Sequence, residues 1–153
     1  MNDLSSDVTD FKKGDVLFTG KESADFLYIV VSGSVKLFSG DEKNLRPVKD
    51  IFEKDFFGEQ SIFSEELRSL TAIVSEDTQL ILIKGSDIFS VLDTCPDWIG
   101  DIVKLIGKRL RSTNYAIYEH NLMDESLSRD LAISTDDFVF YKHCLEEYKK
   151  SRA

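Results

Sequence analysis

Residue types that build metal and catalytic sites are scarce here: the 153 residues include two cysteines and two histidines. Cys95 and Cys144 lack metal-ligand spacing, and two thiols are too few for a disulfide framework. His120 and His143 are far apart in sequence and have no third ligand, so capping or solvated roles are expected for both. We predict no metal site and no catalytic residue.

Long hydrophobic runs are also missing. The apolar stretches "YIVV" and "LILI" have the length of strands and are too short to span a bilayer. The N-terminus, "MNDLSSDVTD", is acidic and polar, and it lacks the basic-then-apolar order of a secretory signal. We therefore expect a cytoplasmic protein that does not contact a membrane.

Positive charge is outnumbered: 19 lysines and arginines stand against 28 aspartates and glutamates, which gives a formal net charge of −9. The one dense basic stretch is "GKRLR". Because contacts to phosphates supply most of the affinity for duplex DNA, a field of this sign disfavours DNA binding. The segment after Asp124 has a break and one further helix, without a second helix at recognition-helix spacing. We predict that the chain does not bind DNA by itself.

The hydrophobic pattern along the chain has two kinds of periodicity, one typical of strands and one typical of helices. Up to Ile83 the pattern is short and strand-like, as in "DVLFTG", "DFLYIVVSG", "GSVKLFSG", "RPVKDIF", "LTAIVSE" and "TQLILIK". The turns "SGS" at 32–34 and "SGDEKN" at 39–44 should join strands that pair. Short strands at this spacing indicate an antiparallel sandwich or barrel.

Helices follow the strands. "GSDIFSVLDTC" predicts a short helix capped near Ser86, and Pro96 opens a long one that runs to Met123. Its apolar stripe is wide enough to contact a second copy of the chain as well as its own domain. A final helix should start near Ser134 or Thr135. Its apolar stripe is Phe138, Tyr141, Cys144, Leu145 and Tyr148.

A turn at Gly58-Glu59 has the chemistry of an anion site. A short helix starting at Glu59 would present the free N–H groups of Gln60 and Ser61, which attract an anion without any side chain. Gly58 would let the backbone approach a ligand closely, and Ser61 is small enough to leave the site open.

Arg68 follows the turn by nine positions and supplies a planar guanidinium that suits two phosphate oxygens. Ser69 adds a hydroxyl, and Glu59 suits a donor such as a sugar hydroxyl. The matching ligand is a phosphorylated ribose. The alternative is a plain salt bridge between Glu59 and Arg68.

The order of short strands, Gly-Glu turn, arginine, two more strands and two helices resembles the cyclic-nucleotide-binding domain family. "FGEQSIFSEELRS" looks like its phosphate-binding cassette, and the resemblance covers about Phe11 to Asp124. It implies an α+β protein: an antiparallel, jelly-roll-like β-roll that carries the cassette, with flanking helices, a long C-helix and a C-terminal helical appendage. We place the binding domain at 1–123 and the appendage at 124–153.

The resemblance also implies roles for single residues. Glu59 matches the acid that accepts from the ribose 2′-hydroxyl, and Gly58 matches the glycine that lies against it. Arg68 and Ser69 match the residues on the cyclic phosphate. Leu37, Val48 and Ile51 would line the base end.

The long helix is similar to that of the bacterial catabolite activator proteins. In that register Arg109 falls near the ribose and its glutamate, Thr113 on the residue that bonds adenine, and Asn114 on the position that reaches the base in the partner subunit. Arg109 has an alternative role, a pair with Glu59 or a surface acid.

Some residues depart from the family pattern. Leu70 replaces a small residue after the Arg-Ser pair, so its bulk would tighten or occlude the phosphate end. Lys54 replaces a glycine before Asp55, and Glu65 and Glu66 add negative charge near the proposed anion site.

The resulting hypothesis is a non-enzymatic sensor of cyclic AMP, with cyclic GMP as the second option and no other cofactor. It would form a homodimer through the long helix and signal to an unknown effector protein through that helix and the 138–148 segment. One alternative is a dimerisation or docking scaffold with an empty pocket. Another is an enzyme on a cupin-like barrel, which the absence of histidines from the strands disfavours.

Overall fold

The computed structural model describes residues 8–119 and 132–153, and in that part of the chain eight strands and four helices form. The strands are β1 Val8–Phe11, β2 Val16–Phe18, β3 Phe26–Ser32, β4 Ser34–Ser39, β5 Arg46–Phe52, β6 Phe56–Phe57, β7 Thr71–Val74 and β8 Thr78–Lys84. The helices are α1 Glu59–Phe63, α2 Gly85–Leu92, α3 Asp97–Glu119 and α4 Thr135–Arg152.

The strands form two four-stranded antiparallel sheets, in the orders β1-β8-β3-β6 and β2-β7-β4-β5. Apolar side chains from both sheets meet in one core, which confirms the predicted β-roll. Every second residue of a strand contributes to this core, since successive side chains point to opposite faces of a sheet. The core residues are Phe18, Tyr28, Val30, Val35, Leu37, Ile51, Phe57, Ala72, Val74 and Leu80.

The prediction that "SGS" joins two paired strands is wrong. β3 pairs with β6 and β8, whereas β4 pairs with β5 and β7, so the chain changes sheets at Gly33. Gly33 has a φ of +86°, and a Cβ there would lie 2.5 Å from the carbonyl oxygen of Asp77. The second predicted turn does join paired strands, because Ser39 of β4 faces Arg46 of β5.

The helix ends agree with the sequence in part. The hydroxyl of Ser134 accepts from the N–H of Asp137 at 3.0 Å, which confirms the predicted start of α4. α2 starts at Gly85, one residue before the predicted cap at Ser86: the N-cap position is Lys84, and no side chain caps the helix. The N–H of Gly85 donates to the carbonyl of Asp25 at 2.8 Å. Residues 120–123 of the predicted long helix lie outside the described residues.

α4 forms a third layer on the β-roll. Its buried Tyr141 and Leu145 pack against Phe38, Leu45 and Ile73. Phe38 and Ile73 alternate with core residues, so α4 covers the outer face of the β2-β7-β4-β5 sheet. The predicted 138–148 signalling surface is therefore largely occupied by the chain itself. The proposed boundary between 123 and 124 lies outside the described residues and stays a prediction.

Two further findings concern membranes and metals. Within 8–119 and 132–153, no helix combines the length and the hydrophobicity that crossing a bilayer requires. The same residues contain no group of three or more His, Cys, Asp or Glu side chains positioned to hold a metal ion.

Replacing Leu145 by alanine tests the α4 interface. Leu145 is 1% exposed, so L145A should lower the free energy of unfolding by about 2–5 kcal/mol, through lost burial and a cavity. The matched control is V139A on the exposed face of α4, with an expected change of about 0.5 kcal/mol or less. Chemical denaturation measures both, and equal effects would show that α4 does not contribute a packed layer.

Candidate ligand-binding site

A cavity of about 320 Å³ lies where the β-roll, α1 and α3 meet. The structure brings most of the predicted site residues together around it: Leu37, Ile51, Gly58, Glu59, Gln60, Ser61, Arg68, Ser69 and Asn114. Its other lining residues are Phe18, Lys49, Phe56, Phe57, Leu70 and Leu110.

Arg68 carries a buried charge at this cavity, with 4% of the residue exposed. Its Nη1 donates to the carbonyl of Gly58 at 2.7 Å, and its Nη2 donates to the carbonyl of Phe26. The guanidinium carbon lies 4.2 Å from the centre of the Phe18 ring. Its Nε is buried and has no hydrogen-bond partner among the described residues.

No carboxylate in the described part of the chain forms an ion pair with Arg68, so the salt-bridge alternative with Glu59 is not what the structure contains. Burial lowers the pKa of Arg68, and the nearby Tyr28, Asp25, Glu59 and Glu22 raise it. A buried charge whose partners are neutral carbonyls is stabilised further by an anion within hydrogen-bond reach.

The Gly58 turn brings the backbone against Arg68. Gly58 has a φ of +87°, and a Cβ there would lie 2.8 Å from Nη1 of Arg68. α1 begins directly after this residue and has no side-chain cap, so Glu59, Gln60 and Ser61 enter the cavity lining in its first turn. A larger residue at 58 would push the guanidinium away from the turn.

One face of α3 closes the cavity. Leu110 and Asn114 line it, while Arg109 and Thr113 are exposed and do not. Residues 110 and 114 share a helical face with Gly107 and Arg111, whereas 109 and 113 lie on another face. The hydroxyl of Thr113 donates to the carbonyl of Arg109 at 3.0 Å, within the helix.

Arg109, expected near the ribose and Glu59, is exposed, and Arg111 is the arginine of α3 that contacts the cassette. Its Nη1 donates to the hydroxyl of Ser61 at 3.2 Å, and its Nε pairs with Glu66. Lys104 pairs with Glu65 at 3.4 Å. Glu65 and Glu66, the extra acids of the cassette, therefore attach it to α3, and neither of them lines the cavity.

Val48 does not line the cavity, although it is buried. Leu37 of β4 faces Lys49 and Phe38 faces Pro47, so Val48 is the extra residue of a bulge in β5. Lys49 and Ile51 are two residues apart and share a face. The ammonium of Lys49 lies 3.6 Å from the carboxylate of Asp55. The two-residue spacing from Ile51 was readable in the sequence and would have identified Lys49, whereas the bulge at Val48 follows only from the pairing of β4 with β5.

The sequence pattern described as "Cyclic nucleotide-binding domain" matches residues 8–95, more than half of the chain. The chain belongs to the cyclic nucleotide-binding domain family. The cyclic AMP receptor protein of Thermus thermophilus is 29% identical over 108 residues, which cover 68% of this chain and 49% of that protein. The chain thus spans about half the length of this curated relative.

Solved structures agree with the fold. The catabolite activator protein of Thermus thermophilus superposes with a TM-score of 0.57 at 25% identity, covering 74% of this chain and 54% of that one. The cAMP-bound EAL enzyme Bd1971 superposes with a TM-score of 0.65 at 22% identity, covering 75% of this chain and 31% of that one. α1 lies within the segment whose sequence resembles the phosphate-binding cassette of this family, at residues 57–69.

The cassette and the backbone of α3 come close together at Gly107. A Cβ there would lie 2.5 Å from the Cβ of Phe63 and 2.9 Å from its carbonyl carbon. Only glycine fits this crossing, so the seating of α3 on the cassette depends on it.

Alanine at Gly107 tests this seating. G107A should force the helices apart, at a cost of about 1–3 kcal/mol for overpacking. The matched control is G100A on the same helix, where a Cβ would meet nothing within 4 Å, so it should gain up to about 1 kcal/mol from helix propensity. Chemical denaturation compares them, and a G107A protein as stable as G100A would contradict the close crossing.

Proposed function

We propose that the chain is a cytoplasmic cyclic-nucleotide sensor that prefers cyclic AMP, dimerises through α3 and signals to a partner protein. The observation that carries the proposal is the buried guanidinium of Arg68, which lines a cavity without a carboxylate partner among the described residues. Cyclic AMP supplies the missing anion together with a sugar hydroxyl and a base.

The expected pose follows the chemistry of the lining. Arg68 and Ser69 bind the cyclic phosphate, the Nε of Arg68 being a donor without a partner. Glu59 accepts from the ribose 2′-hydroxyl, and Gly58 lets the sugar lie against the backbone. Gln60 and Ser61 support the phosphate side through the first turn of α1.

The base would lie at the other end of the cavity, between the side chains of Leu37, Ile51 and Leu110 and the amide of Asn114. Asn114 offers both a donor and an acceptor to the base from its own subunit. Arg109 and Thr113 are proposed to reach the nucleotide only after α3 shifts or across a dimer. Val48 would not contact the nucleotide, because it lies in the bulge of β5 and outside the cavity lining.

The preference for cyclic AMP rests on Asn114 and on the resemblance to the cyclic AMP receptor protein. The EAL enzyme Bd1971 has been solved with cAMP and with cGMP, so the fold accommodates either nucleotide. With its net charge of −9, the chain is not expected to bind DNA by itself.

Calorimetric titration with both nucleotides tests the proposal. Cyclic AMP should bind more tightly than cyclic GMP, and E59Q should weaken cyclic AMP binding about 10- to 100-fold, because a charge-assisted hydrogen bond contributes about 1.5–3 kcal/mol. R68Q should lose roughly 2–5 kcal/mol of binding. The matched control is E53Q, an exposed acid outside the cavity.

Equal affinities for the two nucleotides would overturn the cyclic AMP preference. Unchanged binding in E59Q would show that the ribose lies elsewhere. Because this test does not depend on Arg68, it remains valid even if R68Q fails to fold.

Dimerisation through α3 is supported by its exposed apolar side chains. Four of them share one side of the helix and are strongly exposed, Trp98 62%, Ile102 46%, Leu105 47% and Ile106 56%, and Leu110, 40% exposed, lies at the edge of this stripe. A second α3 would cover this stripe and carry the signal. Because Arg111 and Lys104 attach α3 to the cassette, closing of the cassette on phosphate would favour one seating of the helix.

Glutamate at Ile106 should break this dimer, because it places a charge in the centre of the apolar stripe. Sedimentation velocity should find a dimer for the wild type and a monomer for I106E. The control V139E adds the same charge on the exposed face of α4 and should remain dimeric. A monomeric wild type at every tested concentration, with and without cyclic AMP, would contradict the proposal.

A scaffold with an empty pocket is the second candidate. Two observations favour it: both terminal nitrogens of Arg68 already donate to main-chain carbonyls, and Leu70 lines the cavity. The volume of about 320 Å³ is at the lower end of ligand pockets. A thermal-shift measurement distinguishes the two candidate functions: cyclic AMP should raise the melting temperature of a sensor and leave that of a scaffold unchanged.

A further inference from the structure

The C-terminal end of α4 reaches the loop between β2 and β3. The hydroxyl of Tyr148 donates to Oε2 of Glu22 at 3.2 Å, and Nη1 of Arg152 donates to the same oxygen at 3.1 Å. Arg152 also donates to the hydroxyl of Tyr148. The carboxylate of Glu22 is therefore held by two residues from a helix more than a hundred positions away in sequence.

Glu22 in turn holds its own loop. Its Oε1 accepts from the hydroxyl of Thr19 at 2.7 Å, and its N–H donates to the carbonyl of Thr19 at 3.3 Å. Between them, Lys21 has a φ of +74°, a conformation that a residue with a side chain keeps only when its surroundings impose it.

This loop clamps the main chain of Arg68 on both sides. The N–H of Arg68 donates to the carbonyl of Glu22 at 2.8 Å, and the carbonyl of Arg68 accepts from the N–H of Lys21 at 2.8 Å. The position of the Arg68 backbone therefore depends on the conformation that Glu22 imposes.

Side chains of α4 and of this loop also meet beside Arg68. Glu22, Tyr148 and Arg152 line a second cavity of about 220 Å³ together with Arg68 and Phe18. Arg152 neutralises a carboxylate that would otherwise oppose an anion beside Arg68. α4 therefore affects both the position of Arg68 and the charge beside it.

We infer that Glu22 is a positioning residue for Arg68, and that Tyr148 and Arg152 couple the docking of α4 to the anion affinity of the cassette. The coupling to nucleotide rests on the proposed function, whereas the positioning of Arg68 does not. By linkage, a ligand that binds the ordered cassette strengthens α4 docking to the extent that α4 docking strengthens its binding.

This role differs from general stabilisation. The side chain of Arg152 is 61% exposed, so its ion pair with Glu22 should contribute little to global stability. A local effect on the loop and on Arg68 is then measurable without unfolding the domain.

Amide hydrogen exchange of the nucleotide-free protein tests the positioning. R152M and Y148F should speed exchange of the Arg68 amide several-fold, because its acceptor carbonyl becomes mobile. The matched control is K150M, which removes an equal charge from the same helical turn but breaks only the local pair with Glu147. Exchange at Arg68 that is the same in R152M, Y148F and K150M would overturn the inference.

Thiol labelling tests the coupling in a C95S background, where Cys144 is the one remaining cysteine. Cys144 lies on the docked face of α4 beside Gly14, and burial raises the pKa of its thiol, which slows its reaction. Saturating cyclic AMP should slow labelling several-fold further, and R152M should reduce that protection. Cyclic AMP that binds without changing the labelling rate would overturn the coupling.

A double-mutant cycle of cyclic AMP affinity tests whether Glu22 and Arg152 act together. E22Q, R152M and the double variant should be non-additive in cyclic AMP affinity, since the two side chains act together, and additive effects would contradict the inference. A wild type that binds no cyclic nucleotide refutes the proposed function and with it the coupling to nucleotide, while the exchange experiment still decides whether Glu22 positions Arg68.

Discussion

The guanidinium of Arg68 is the group on which the rest of the site depends. It connects β3, through the carbonyl of Phe26, to the turn before α1, through the carbonyl of Gly58. Both partners are main-chain groups, so the charge is held in place without being neutralised. A buried cation in this state favours an anion, which gives a β-sandwich core a binding site at its edge.

The cassette and α3 form one mechanical unit because their backbones come into contact at Gly107 and their side chains are paired on either side of it. Arg111 binds both Ser61 and Glu66, so in the proposed sensor a change at the start of α1 would reach the long helix through these contacts. In the same proposal, a partner that covers the exposed apolar side of α3 would act on the cassette. These contacts are the physical path by which ligand binding would favour one seating of α3.

α4 adds a layer that the binding fold does not require for its core. It buries Tyr141 and Leu145 on the outer face of one sheet and ends at Glu22. The helix therefore contacts both the scaffold and the loop that holds Arg68. A segment that first looked like an exposed output surface is better understood as a docked element whose release would expose apolar side chains and loosen the site at the same time.

The sequence alone determined the strand segments, the Gly58-Glu59 turn and the start of the last helix at Ser134, because alternation, turn chemistry and capping are local signals. It also placed Arg68 and Glu59 near one another through the resemblance of their motif. Only the tertiary structure decided that β3 and β4 belong to different sheets, that Arg111 and not Arg109 meets the cassette, and that α4 covers the β-roll. These features depend on strand pairing between distant segments and on the rotation of α3 about its axis. The contact at Gly107 fixes that rotation, and no short stretch of sequence encodes it.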